Sequence, residues 1–408
     1  MLTAEDGIQT IERGSIVTPR GFYAAGMHTG VKRKRNDLGM IYCDVPASAA
    51  ALYTKNMIQA APLQTTKDSI ASEGKLQAII INSGNANACT GKQGEQDAYT
   101  MRHATAQQLE LPDHRVAVSS TGIIGLPMPM DRIIPNIKEL HLDTDQEAAT
   151  AFNESILTTD AIRKSTCRQT IIDDSPVTMA GSAKGSGMIE PNMGTMLAFV
   201  TTDAAIEPDM LQLALKDVTD KTFNCITVDG DTSTNDMVLT MASGKAGNES
   251  LTPDHKDWNA FVEMLRATCE DLATMIARDG EGATKLIEVN VSGAHDDQQA
   301  GQVAKTVVGS SLVKTAVYGA DPNWGRIIAA IGRSGADINP ETIDAFVGPV
   351  QLLKNSQPLA FSEKEASDYL LQDTITITIG LNNGDGIGKA WGCDLTYDYV
   401  RINASYTT

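Results

Sequence analysis

The sequence lacks most of the features that announce a chemistry. Its six cysteines, at positions 43, 89, 167, 225, 269 and 393, contain no CxxC pair. Spread so thinly through 408 residues, they build no disulfide scaffold and read as reduced, mostly buried thiols of a cytosolic chain. No apolar run approaches the roughly 18 residues of a membrane span. The opening MLTAEDGIQTIERG is too acidic and polar for a secretory signal. Positive charge is also scarce: 33 Lys and Arg stand against 51 Asp and Glu, for a net charge of −18. A nucleic-acid or anionic-membrane partner is therefore not expected. The one basic cluster, Lys32 to Arg35, reads as a solvated turn between strands.

Familiar catalytic signatures are missing as well. There is no GxxxxGK[ST], and GDGIGK (384–389) lacks the spacing of a dinucleotide loop. The six histidines form no HExxH and no close pair, so no metal is expected. No GxSxG elbow occurs. DGDTSTND (229–236) suggests a calcium loop, but Thr234 stands where the sharp turn needs Gly. A turn in which Asp, Ser, Thr and Asn cap their own backbone fits it better.

What is present is alternation. Short apolar runs at 39–45, 76–82, 115–120, 196–202, 237–242, 286–292 and 373–380 predict strands. Helical spacing marks 95–111, 209–223 and 258–280. The chain is thus expected to be α/β, with a catalytic domain over 1–284 and a smaller α/β domain over 285–408. Three segments are too polar and Gly-rich for plain connectors: INSGNANACTGKQG (81–94), SSTGIIG (119–125) and KGSGMIEPNMGTMLAFVTT (184–202). Each alone reads as a turn using Gly and Asn at positive φ.

The third segment puts Thr195 at the mouth of a buried strand, after Gly194. A Thr hydroxyl needs a base. If the Gly194–Thr195 bond is cut, the new α-amine of Thr195 supplies one, with a reference pKa of about 7.7–8.0. Gly194, without a Cβ, gives the backbone freedom for the hydroxyl to attack the preceding carbonyl. A Thr that merely starts a strand is the structural alternative.

Six ordered motifs extend this reading: NSGNANACTG (82–91), STGIIG (120–125), KGSGMIEPNMGTMLAF (184–199), DGDTSTND (229–236), ADPNWGR (320–326) and WGCDLTYDYVRINA (391–404). Together, from about residue 15 to the end, the chain resembles the ornithine acetyltransferase family. The resemblance implies a layered α/β sandwich of the DmpA aminopeptidase type with an added C-terminal α/β domain. It also implies autocleavage into chains 1–194 and 195–408, assembled as an α2β2 heterotetramer. Thr195 becomes both the cleavage residue and the acyl acceptor. Thr121 and Gly122 become the oxyanion hole. Thr158, Lys184, Glu281, Asn403 and Thr408 become substrate contacts, with Lys184 suited to a carboxylate.

The implied reaction is acetyl transfer from N-acetylornithine to glutamate in arginine biosynthesis. It needs no cofactor; acetyl-CoA is a second donor in some members. The rivals are an N-terminal-Thr amidase or aminopeptidase on the same fold, and a non-catalytic amino-acid-binding protein. Two departures stand out: Gly194 where the family more often has Ala, and NASYTT (403–408) where it commonly has NADYRT.

Purified protein is expected to resolve by intact mass into fragments 1–194 and 195–408, the second beginning Thr-Met-Leu. Thr195→Ala is expected to stay one inactive chain. Active enzyme that carries only the initiator end would overturn the N-terminal-nucleophile reading.

Overall fold

The computed structural model describes residues 7–190 and 196–405. Gly194, Thr195 and Thr408 lie outside them. The first sheet has nine strands. Its main path runs Gln9–Thr10, Lys164–Ile172, Ser175–Lys184, Leu197–Thr202, Met237–Ala242, Leu38–Tyr53, Lys75–Asn85, Val116–Ile123, and Phe22–Met27 adds to Leu38–Tyr53. Side chains alternate between two cores, as the pleat dictates. Ala198 and Val200 pack with Leu211 and Leu215 of helix Pro208–Lys221 and with Phe261, Leu265 and Leu272 of helix Trp258–Arg278. Leu197 and Phe199 pack with Phe152 and Ile156 of helix Gln146–Ile156. Helices thus cover both faces, which makes the expected layered α/β arrangement.

The second sheet runs Gln357–Pro358, Val350–Lys354, Asp344–Val347, Thr374–Gly380, Leu286–Ala294, Gly386–Cys393, Ile226–Thr227. Its last strand comes from far earlier in the chain and ties the loop after it to this sheet. Lys314, buried, donates to the carbonyl of Val228 and strengthens that tie. Among the described residues, no helix is long and apolar enough to cross a membrane. Four of the six thiols are buried, Cys225 is half-buried and Cys89 is exposed.

Two features position the site. Strand Leu197–Thr202 lies between Ser175–Lys184, where Lys184 pairs antiparallel with Leu197, and Met237–Ala242, where Met237 pairs parallel with Leu197. Strand Ser175–Lys184 is held in turn by a hairpin whose two turn residues, Asp173 and Asp174, both have positive φ (48° and 59°). That is the geometry of a type I′ turn, whose twist matches paired strands.

The basic cluster is a turn between Phe22–Met27 and Leu38–Tyr53, as expected, but it is only partly solvated. Lys32 folds inward and donates to the carbonyl of Leu157 at 2.8 Å, and Arg35 donates to that of Asp160 at 2.8 Å. Leu157 caps helix Gln146–Ile156, whose C-terminal end attracts a cation; the Asp160 carbonyl lies in the loop beyond it.

Phe199 is fully buried and meets Phe152 edge-on, with ring centroids 5.8 Å apart. Phe199→Ala is expected to destabilise the protein by about 3–5 kcal/mol in denaturant unfolding. A loss below about 1 kcal/mol would show that this core is not the one holding the strand.

Candidate active site

A cavity of about 270 Å³ opens where strand Leu197–Thr202 begins. Thr121, Gly122, Thr158, Lys184, Glu281 and Asn403 all line it, although they come from distant parts of the sequence. Met196 and Leu197, which follow Thr195 directly, line it too. Thr195 and Thr408 fall outside the described residues. ADPNWGR is not in the wall: it leads into helix Trp324–Gly332 and lines a separate groove with Phe361 and Glu363.

The Gly-rich segments meet because backbone must approach backbone. Gly84 and Gly122 are register partners in the parallel pair Lys75–Asn85 and Val116–Ile123. Gly122 has φ +129°, and a Cβ there would sit 2.4 Å from the carbonyl carbon of Gly84. No larger residue fits. A clamp holds the two segments together. Asn235, 5% exposed, donates from Nδ2 to the carbonyls of Ala86 at 2.6 Å and Ser120 at 2.8 Å.

The stretch 229–236 therefore does more than cap itself. Asp229 accepts the N–H groups of Met188 at 2.7 Å and Ile189 at 2.8 Å, which fixes the loop after Lys184. In that loop Gly187 leaves room for the Glu281 carboxylate; a Cβ there would lie 2.5 Å from it. Glu281 in turn accepts from Asn403 Nδ2 at 2.8 Å. Helix Tyr397–Ser405 thereby closes one side of the cavity.

Charge is concentrated behind Lys184, itself buried. Lys164, with no exposed surface, donates to Asp160 at 2.7 Å and to Asp279 at 2.6 Å. Asp160 also accepts from the N–H groups of Thr158 at 2.9 Å and Gly185 at 2.7 Å. Burial pushes the Asp160 carboxyl up, but the ammonium groups of Lys184 and Lys164 outweigh it and hold it well below the usual carboxylate range. Burial lowers the pKa of Lys184, with Asp160 opposing. Burial likewise brings Lys32, nearby, down to about 8. Asp236 moves the other way. Burial raises it well above its ordinary value, against Lys184 and the hydroxyls of Ser233 and Thr54.

The chain matches the ArgJ family model over residues 23–408. The chain belongs to the ArgJ family. A relative from Halalkalibacterium halodurans, named as an arginine biosynthesis bifunctional protein, is 62% identical over 399 residues, covering 98% of this chain and 97% of that one. The chain is also similar to a crystallised arginine biosynthesis bifunctional protein from Bacillus halodurans, at 65% identity and TM-score 0.51. The match covers 52% of this chain and 100% of that one. A third similarity is to an ornithine acetyltransferase from Mycobacterium tuberculosis crystallised with ornithine, at 32% identity and TM-score 0.42, covering 45% of this chain and 98% of that one.

Sequence reasoning did not single out Asp160, Asn235 or Asp236. Asp160 sits in LTTD, two residues beyond the chosen Thr158, and Asn235 and Asp236 sit in a motif read as a self-capping turn. The available signal was a run of polar residues leading directly into an apolar strand.

Asp160→Asn is expected to cost about 3–5 kcal/mol, because it leaves the buried Lys164 and Lys184 undercompensated. The folded-state pKa of Asp160 is depressed, so its stabilisation is complete above the unfolded value of about 3.9 and is lost as pH falls below that. Acid unfolding of wild type and variant should therefore converge at low pH. A variant equally stable at pH 7 would remove the network from the site's foundations.

Proposed function

We propose that this enzyme transfers acetyl from N-acetylornithine to glutamate through an acetyl ester on Thr195, within arginine biosynthesis. The observation that carries the reading is the convergence of Thr121, Gly122, Thr158, Lys184, Glu281 and Asn403 on one cavity at the entry of the strand that Thr195 precedes. The Thr195 hydroxyl first attacks the Gly194 carbonyl and the C–N bond breaks, freeing the Thr195 amine. Water then hydrolyses the ester.

In turnover the Thr195 amine takes the hydroxyl proton as the oxygen attacks the acetamide carbon. The oxyanion is stabilised by the Thr121 hydroxyl and the Gly122 N–H. Such donors act most strongly where water is excluded, and Thr121 is 8% exposed. The proton passes to the departing α-amine of ornithine. The glutamate amine then attacks the ester and leaves as N-acetylglutamate, restoring the Thr195 hydroxyl.

Lys184 receives the substrate α-carboxylate. Its burial makes such an anion favourable beyond what Asp160 supplies. The chemistry needs neither metal nor organic cofactor. The cleaved halves assemble as α2β2 in the cytoplasm.

With N-acetylornithine alone, ornithine release is expected to stop near one equivalent per enzyme; sustained release is expected to require glutamate, with N-acetylglutamate formed in step. Acetate released regardless of glutamate would mark an amidase on this fold instead. Thr121→Ala, measured on the fully cleaved fraction, is expected to lower kcat by about 10²–10³-fold with a nearly unchanged melting temperature. Wild-type turnover in that variant would remove Thr121 from the mechanism.

A further inference from the structure

Among the acidic groups of the cavity that the reaction just described does not use, one is fully buried. Asp236 is 2% exposed and lines the cavity beside Lys184 and Met196. Its Oδ2 is buried and has no hydrogen-bond partner among the described residues. Its backbone is fixed: the Asp236 carbonyl accepts from Thr54 N–H at 3.0 Å. The N–H of the next residue, Met237, donates to the Met196 carbonyl at 3.0 Å. The carboxyl is thus anchored next to the residue that follows Thr195. A buried carboxyl oxygen left unmatched is costly. Such an acceptor is explained if a cation arises beside it, and cleavage before Thr195 creates one.

We propose that Asp236 is the positioning residue for the α-amine of Thr195, accepting a hydrogen bond from it and setting the pH at which it becomes a free base. This inference rests on the reading of Thr195 as an N-terminal nucleophile. Burial and the Lys184 ammonium both oppose a proton on an amine in this cavity. Asp236 opposes both and holds the amine in one orientation. The other ionisable groups around the cavity are Asp229 and Asp231 from the same loop, Glu281 after helix Trp258–Arg278, and Tyr399 from helix Tyr397–Ser405. Asp160 and Lys164 lie behind Lys184. Asp229 and Glu281 have donors from Met188, Ile189 and Asn403, and Asp236 has the hydroxyls of Ser233 and Thr54, which leave its Oδ2 unmatched among the described residues. Asp231 is exposed. Among these carboxylates, Asp236 alone pairs burial with an unmatched oxygen among the described residues.

The test is Asp236→Asn, nearly the same shape without the charge. In the cleaved fraction the acid limb of kcat/KM is expected to move to lower pH by about one unit or more, because the protonated amine loses the carboxyl that would give up its proton to pair with it. The double variant Thr195→Ala, Asp236→Asn has no free amine and is expected to melt no lower than Thr195→Ala alone. An unmoved acid limb, or a higher KM for glutamate with the limb unmoved, overturns the proposal. A double variant that melts lower than Thr195→Ala overturns it too, since Asp236 would then be a structural group. Wild type that intact mass shows uncleaved would instead sink the Thr195 reading itself, so the two failures are separable.

Discussion

One side of the cavity depends on holding the Lys164 side chain with no exposed surface between two carboxylates. An ion so placed is tolerable only if opposite charges and hydrogen bonds enclose it. Asp160 and Asp279 do so, and each of them fixes more chain. Asp160 takes the N–H groups of Thr158 and Gly185, so one carboxylate sets both the loop after helix Gln146–Ile156 and the exit of the strand that carries Lys184. Asp279 takes the N–H of Ala161 at 3.1 Å and stands two residues before Glu281. Thr158, Lys184 and Glu281 are thereby referred to one buried charge cluster. This is why three residues so far apart in sequence share a cavity.

How much of this was legible follows from the kind of force involved. Strands such as Met237–Ala242 declare themselves because both faces are buried and the run is apolar. The hairpin Lys164–Ile172 and Ser175–Lys184 was not foreseen. Its strands mix Lys, Ser, Thr, Arg and Gln with apolar residues, and the Lys that should mark a surface is buried by its partners. The second half of Leu38–Tyr53 was missed for another reason. PASAAALY is small rather than β-branched, and in Ala51 and Leu52 it packs against both cores rather than following β propensity.

The candidate site was legible in a different sense. Four of the six motifs contribute to the cavity wall, and the described residues chosen from them share it, whereas ADPNWGR lies in a separate groove. The motifs could not tell supports from site residues, even where, as with Asn235, they contained one. Asn235 acts through two backbone carbonyls and Asp160 through two backbone N–H groups, contacts that carry no sequence signature at the receiving end. Long-range capping of this kind is invisible until the chain is folded.

The same bookkeeping of partners bears on how one cavity can serve ornithine and glutamate, whose side chains end in opposite charges. A cavity walled by Asp229, Asp231, Asp236 and Glu281 would on charge alone reject an anion. Yet Asp229 is taken up by two backbone N–H groups, with the Tyr399 hydroxyl at 3.4 Å, and Glu281 is taken up by Asn403. Neutral donors spread a carboxylate's charge without fixing a cation beside it. Asp231 is exposed, where water screens it. In the proposed reaction Lys184 meets the shared α-amino-acid head, the one part that both substrates present alike. Fixed charge is thus spent on what the substrates have in common, and the walls near their differing ends are either satisfied by neutral groups or wet. That arrangement suits the proposed acyl-enzyme, which must exchange a cationic leaving group for an anionic acceptor.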